Sequence, residues 1–342
     1  MKKVVAETPP VTIVIPCFNH GAYLPEALAS VANQTYPHTS CVVVDDGSTD
    51  PATQQLLADL RDPGRRPALA ARLGRPLPPD LRVISQPNRG LPAARNAGVR
   101  VSSAPFFVPL DADDVLAPGF VAKLLPVLRR GPRLGYAYCA VRLFGARRGL
   151  WRCPPYDPYR LLLGNLSAAT ALVRRAAFDA VGGYAEDMVQ GYEDWDFWIA
   201  LLACGWHGAR LPNVLFHYRQ HAAGESMLGR LAPHRERLIR RMITRHRPLF
   251  ARLLGLGDAD EATILAEWHA AVTLDSIERA TSWRLLRPWH QPWTATAAER
   301  VPPVPPSVRL AAVQRSRAYR LVAAAKRTRL LRWYARRRYG RG

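Results

Sequence analysis

The chain has 342 residues, 48% of them apolar, which is enough for one large domain or for a domain with an appendage. Its five cysteines show no paired metal or redox spacing, no apolar stretch approaches the ~20 residues of a membrane-spanning helix, and strand-like residues begin close to Met1. We therefore expect reduced thiols, no bilayer span and no signal peptide. The formal net charge of +21 is concentrated after Pro306, where a dozen Arg and Lys stand without one Asp or Glu.

The N-terminal part predicts strands alternating with helices. TIVIPCF reads as a buried strand, and GAYLPEALASVANQT as a helix with Leu24, Leu28 and Val31 on one face. CVVVDD is a second strand, and residues 61–80, rich in Pro, Arg and Gly, read as a surface insertion. LRVISQ is a third strand, LPAARNAGVRVSSA a helix with Pro92 in its first turn, and FFVPLDAD a fourth strand. Such alternation implies a mostly parallel sheet covered by helices on both faces. Further on, PGFVAKLLPVLRR predicts a helix, YAYCAVRLFG a strand, and SAATALVRRAAFDAVGGY a strand, a helix and a glycine turn. EDWDFWIALLACG is a helix closed by Gly205, with Trp195, Trp198, Ile199 and Leu202 on its apolar face. Residues 227–293 read as helical and aromatic, with Trp268, Trp283, Trp289 and Trp293, and VPPVPP at 301–306 as a stiff linker.

Three acidic clusters stand where chemistry is expected: Asp45–Asp46, Asp111–Asp113–Asp114 and Glu193–Asp194. The first two close apolar strands, and the mouth of a parallel sheet is where α/β folds bind ligands. Asp111 and Asp113, two residues apart after a strand, can converge on a hard divalent cation that also takes phosphate oxygens; a solvated turn with Asp114 as helix cap is the plainer alternative. Asp45 or Asp46 can accept the N3–H of uracil or thymine, although DDGSTD is also rich in turn formers. Glu193 and Asp194 open a helix whose dipole favours carboxylates, and either could serve as a general base for a hydroxyl nucleophile. Basic groups to meet a diphosphate are Arg95 and, in FHYRQHAAGES, Arg219 and His221. Gly90 would let its loop approach a base or ribose closely.

Taken together, VTIVIPCFNHGAYLPEALASVANQTY, VVVDDGSTD, NRGLPAARNAG, FFVPLDADD, GGY, EDWDFWIAL and YRQH resemble, in order, the family 2 glycosyltransferases, an inverting group with the GT-A fold. The resemblance spans about residues 11–221. It implies that Pro16, Phe18 and Asn19 lie in the loop under the nucleotide, with Asp45, next to Asp46, at the base-recognition position. Gly90 and Arg95 would touch nucleotide and phosphate. Asp113 would be the direct ligand of Mg²⁺ or Mn²⁺, with Asp111 turned to ribose or metal; from the residues alone, Arg219 and His221 could contact the departing phosphates or the cation, a surface histidine being the plainer alternative for His221. Asp194 would be the catalytic base, with Glu193 as its neighbour and possible substitute. The substrates implied are a UDP- or dTDP-sugar donor and a glycan or lipid-linked acceptor, and no processive-synthase QxxRW motif with a membrane channel is present.

The resulting layout is a GT-A domain over 1–225, a helical extension over 226–300, and a linker with a basic tail over 301–342. In the tail, Tyr319, Val322, Ala323, Leu330 and Trp333 fall on one helical face among Arg and Lys, suiting peripheral attachment to an anionic membrane; the expected location is cytoplasmic, on the inner face of the cytoplasmic membrane. Two rivals remain. A nucleic-acid-binding protein could act through the Arg-rich tail, but its carboxylate clusters would repel a phosphate backbone. A phosphatase could use the DADDV loop, but would carry it at the first strand.

Overall fold

The computed structural model describes residues 8–222, 232–279 and 305–315. The chain divides into two compact units: the first runs to Leu161 and resumes over Asn165–Leu238, and the second takes Leu162–Gly164 and the chain from Ile239.

The first unit is an α/β fold around a nine-stranded sheet. Its parallel half is built from β1 (Val11–Cys17), β2 (Thr39–Asp45), β3 (Leu81–Ser85) and β4 (Phe106–Pro109), in the order β3–β2–β1–β4. All seven residues of β1 are buried, as expected for a strand covered on both faces. Helices α1 (Leu24–Ala32), α2 (Pro51–Arg61), α3 (Arg66–Leu73) and α4 (Leu91–Arg100) lie in the crossovers. The stretch read as an insertion thus folds locally, with α3 ending at Gly74 in the left-handed conformation, φ 60°. Helix α4 approaches the sheet so closely that a Cβ on Gly98 would lie 2.3 Å from Val14 Cγ1, which only glycine permits.

The other half is mixed. Strand β5 (Val115–Leu116) follows β4, and after α5 (Phe120–Leu128) the long β6 (Leu134–Gly145) turns into β7 (Gly149–Trp151). Then come α6 (Pro158–Leu163), β8 (Leu172–Arg174), α7 (Arg175–Val181), α8 (Glu193–Ala203) and β9 (His207–Gln220). Strand β8 is antiparallel to β4 and β6, whereas β9 runs parallel to β6 and antiparallel to β5. The 14-residue β9 is not foreseen by sequence pattern. The apolar face expected on α8 is buried, and Trp198 stacks on Tyr136 at 4.1 Å between ring centroids.

Pro16 requires a correction. It lies inside β1, opposite Val44, and not in the following loop. Pairing of β1 with β4 ends at Val14, so the nitrogen of Pro16 faces no ladder partner and the missing N–H costs no bond.

In the second unit, helices Arg247–Leu254 and Glu261–Arg279 bury Phe250, Ile264 and Trp268, whose indole N–H donates to the Leu162 carbonyl at 2.7 Å. Pro306, placed by sequence in a stiff linker, is the first residue of a helix, Pro306–Arg315, where its fixed φ is favourable. Ser307 docks that helix by donating to Glu267 from its amide at 2.7 Å. Trp283, Trp289 and Trp293 and the tail residues Tyr319, Val322, Ala323, Leu330 and Trp333 lie outside the described residues.

Candidate active site

Strands β1 and β2 end together at Cys17 and Asp45, and β4 stops opposite Val14 with Asp111 just beyond it, so the first two acidic clusters share one edge of the sheet. Asp45 closes β2. Its Oδ1 accepts the Ser48 amide at 2.9 Å, while Oδ2 takes Arg61 at 2.9 Å and Ser85 Oγ at 3.3 Å. Asp46 is almost wholly buried and accepts the amides of Arg89 (3.0 Å) and Gly90 (2.9 Å) and the Gln86 side chain (2.7 Å). It therefore shapes the 86–90 loop. Gly90, at φ 86°, sits directly before α4. Asn19, in the left-handed conformation at φ 56°, accepts the amides of Thr49 and Asp50 at 2.8 and 2.9 Å, tying the loop after β1 to the start of α2. Phe18 beside it is 43% exposed, a large ring open to solvent at the strand end.

Arg95 joins the second and third clusters. Its two terminal nitrogens donate to Asp111 and to Glu193, both at 2.7 Å, and the residue is 1% exposed. It is thus neither an exposed helix arginine nor a group available to a diphosphate, because its charge is spent on two carboxylates. Burial of the guanidinium is offset by those two neighbours, and its proton is held more tightly than usual. Glu193 is correspondingly committed to Arg95 and is not free to stand in as a base.

Asp194, the next residue, is half-buried and differently held. Trp195 donates its amide to Oδ1 at 2.7 Å and Asn165 its side-chain amide to Oδ2 at 2.8 Å, leaving acceptor capacity on both oxygens. Burial, reinforced by the Glu193 charge, pushes its carboxyl up to about 7, against the pull of Arg95 and these hydrogen bonds. A carboxylate tuned to neutral pH is suited to proton transfer.

Asp113 meets His221, with Nε2 2.6 Å from Oδ2. Asp114 is buried beside it. One of its oxygens accepts the Arg219 amide at 2.7 Å, the other has no partner, and burial together with Asp113 and Asp111 raises its carboxyl well above the usual range. Arg219 does not reach out toward phosphates as expected. Its Nε donates to the Asp113 carbonyl at 2.8 Å, its terminal nitrogen pairs with Glu26, and its guanidinium lies between the rings of Tyr23 and Phe144, 4.9 and 4.4 Å from their centroids. It braces the aspartate loop.

Clusters two and three surround the same side chains. The Tyr218 hydroxyl is raised by burial and then by Asp114, Asp111, Asp113 and Asp194, and the fully buried Tyr184 feels Arg95, Asp194, Glu193 and Asp111. The first cluster joins them through α4, whose start is fixed by Asp46 and whose Arg95 lies one turn on. Among the described residues, Asp45 itself touches neither of the other clusters. Sequence reading misses Arg61, Asn165, Glu26, Tyr184 and Tyr218. Glu26, Tyr184 and Tyr218 fall inside quoted motifs without being singled out, and Arg61 sits at the border of the stretch set aside as an insertion.

Among the described residues no three carboxylate, imidazole or thiolate groups come close enough to hold a metal alone. A pair such as Asp113 and His221, beside an unpartnered carboxylate oxygen, nevertheless fits a divalent cation that completes its shell with phosphate oxygens and water.

The family model described as Glycosyl transferase family 2 matches residues 12–184. A chondroitin synthase of Escherichia coli is 26% identical over 201 residues, 58% of this chain and 27% of that protein. An uncharacterized glycosyltransferase of Haemophilus influenzae is 24% identical over 199 residues, 56% of this chain and 61% of the other. The chain thus spans between 27% and 61% of the length of these two curated relatives. Among solved structures, S. aureus TarS 1–349 in complex with UDP-GlcNAc superposes with a TM-score of 0.56 at 19% identity, covering 81% of this chain and 75% of that one. The mannosyltransferase PcManGT from Pyrobaculum calidifontis, in complex with GDP-Man and Mn²⁺, gives 0.51 at 22% identity, covering 96% and 84%. At these identities the two structures speak for a shared GT-A-type fold.

Proposed function

The chain belongs to glycosyl transferase family 2, and from that premise we propose that it moves one sugar from a nucleotide-diphosphate donor to a hydroxyl of a glycan or lipid-linked acceptor, with inversion. The observation that carries this reading is the Asp111–Arg95–Glu193 bridge, which fixes Asp194, with its carboxyl near neutrality, next to the aspartate loop after β4.

In this reading Asp194 accepts the proton of the acceptor hydroxyl as that oxygen attacks the anomeric carbon. The bond from that carbon to the diphosphate breaks in the same displacement, so the configuration inverts. Asn165 and the Trp195 amide orient the base, and Arg95 with Glu193 holds the end of α8 that carries it. Asp45 reads the nucleobase with the acceptor capacity left on Oδ1 beside the Ser48 amide, with Phe18 and Asn19 alongside and Gly90 near the ribose. Asp113 and His221 would hold Mg²⁺ or Mn²⁺, which when bound offsets negative charge on the diphosphate; the Mn²⁺ and nucleotide sugars of the two superposed structures support that choice. Asp111 would turn its free oxygen to ribose or metal.

The same proposal includes a cytoplasmic location with peripheral attachment through the basic tail. No helix among the described residues is long and apolar enough to cross a membrane.

A panel of UDP-, dTDP- and GDP-sugars, each with Mn²⁺, Mg²⁺ or chelator, tests the reading. It expects a cation-dependent thermal shift with at least one donor, followed by release of the nucleotide. No shift and no release with any donor would refute it.

A further inference from the structure

From Val115 to Tyr156 the sequence contains no Asp or Glu but eight Arg and Lys. Four of these, Arg142, Arg147, Arg148 and Arg152, cluster on the hairpin formed by β6 and β7, where Val141 pairs with Trp151, Arg142 with Leu150 and Leu143 with Gly149. All four are exposed, and none is in an ion pair among the described residues. That is unlike Arg61, Arg89, Arg95 and Arg219, each of which is matched by a carboxylate. Like charges gathered without counter-charges repel one another, so the hairpin is better satisfied with an anion than without one.

The hairpin is also concave. A cavity of about 570 Å³ is lined by Arg142 and Arg148 together with Leu143, Phe144, Gly145 and Leu150, the last 47% exposed. This cavity adjoins the candidate active site through two neighbouring strand pairings. Phe144 pairs with Arg219 and covers its guanidinium, which in turn holds the Asp113 carbonyl. Leu143 pairs with Tyr218, whose hydroxyl lies in the field of Asp111, Asp113 and Asp194.

We propose that the β6–β7 hairpin is the docking site for a phosphate group carried by the acceptor, with Arg142 and Arg148 as its ligands and Leu143, Phe144 and Leu150 as the apolar floor beneath the attached sugar. The proposal rests on the glycosyl-transfer reading above and narrows the acceptor to a phosphorylated glycan. Two guanidiniums lining one cavity offer more N–H donors than the two oxygens of a carboxylate accept, and phosphate takes several at once. A recess with an apolar floor next to the reacting groups suits a substrate arm better than a bilayer surface. The donor's diphosphate would be met instead by the cation that Asp113 and His221 would hold.

The test uses the full chain and three probes: a pentasaccharide with one terminal phosphate, the same pentasaccharide without it, and phosphatidylglycerol vesicles. Binding is measured at low ionic strength, with and without the nucleotide that gives the largest thermal shift in the donor panel. We expect the phosphorylated probe to bind about tenfold more tightly than the neutral one, a preference weakened by salt. Arg142→Gln/Arg148→Gln should abolish the preference, and Arg142→Lys/Arg148→Lys should keep part of it, with melting curves and nucleotide affinity unchanged in both. Equal preference in the wild type and the Gln variant would overturn the proposal. So would a loss of nucleotide affinity in the Gln variant, which would assign the hairpin to the donor, or a hairpin effect seen only on phosphatidylglycerol vesicles, which would assign it to a membrane. Absence of any nucleotide shift would instead refute the transfer reading, while the two sugar probes still score the hairpin.

Discussion

The two halves of the sheet build their shares of the site in different ways. At the ends of β1, β2 and β3, polar groups are satisfied close by. Asp46 takes two backbone amides and one side-chain amide from the loop after β3, and Asn19 takes two amides from the start of α2. Around α8 and β9 the partners come from afar: Arg95 with Glu193, Asp113 with His221, and Arg219 with Glu26. The first half is therefore shaped by ties between neighbouring crossover loops, 30 to 44 residues apart in sequence. The second exists only when segments 98 to 193 residues apart have met. The difference teaches that the end proposed for the donor is built from neighbouring crossovers, whereas the end proposed to react depends on a few pairs from much farther along the chain.

That contrast can be broken most sharply at Asp194. Asp194→Asn should lower turnover by about 10³-fold while leaving nucleotide affinity nearly intact, read by steady-state transfer and by nucleotide titration. Equal loss of both would make Asp194 a structural residue and erase the division between the halves. Next in size is Arg95→Met, which leaves Glu193 and Asp111 without their shared cation. Breaking a buried pair of this kind costs about 3–5 kcal/mol, to be read as a lower urea midpoint. A change of the same size at Arg89, whose equally distant pair with Glu186 is solvent-exposed, would show that burial is not what gives the Arg95 pairs their weight.

The smallest effect sharpens the comparison. With its carboxyl raised to about 7, Asp194 gains its basic form as pH rises, so kcat/KM should climb about tenfold per pH unit below 7 and level off above it. Stability should move in the opposite sense. The unfolded chain releases this proton near 4 and the folded chain only near 7, so across that window this group's contribution falls as pH rises. Because Arg95 pulls the Asp194 carboxyl down, removing it should move the midpoint of the rate profile upward.

Legibility in the sequence follows the same division. β1, β2 and β4 are short buried apolar runs, and the acidic residues at their ends can be located from the run alone. The apolar face of α8 shows through its helical spacing. The burial of Arg95 does not show, because nothing within LPAARNAG announces two carboxylates arriving from elsewhere. β9 is hidden because Arg210, Pro212 and Asn213 interrupt any alternation, and its strand form is imposed by pairing with β6. Arg61 is obscured for another reason: its tie to Asp45 spans 16 residues and depends on α2 packing beside the sheet.

The double engagement of Arg95 also bears on how the molecule is made. A ribosome delivers α4 and Asp111 long before Glu193, so for that interval a cation meant for the interior has only half its counter-charge. Water must stay with it until the later segment arrives, and the inner layer of the protein cannot dry out earlier. Completion of the core and completion of the reacting centre are thus one event in biosynthesis, and a nascent chain halted before residue 193 has neither.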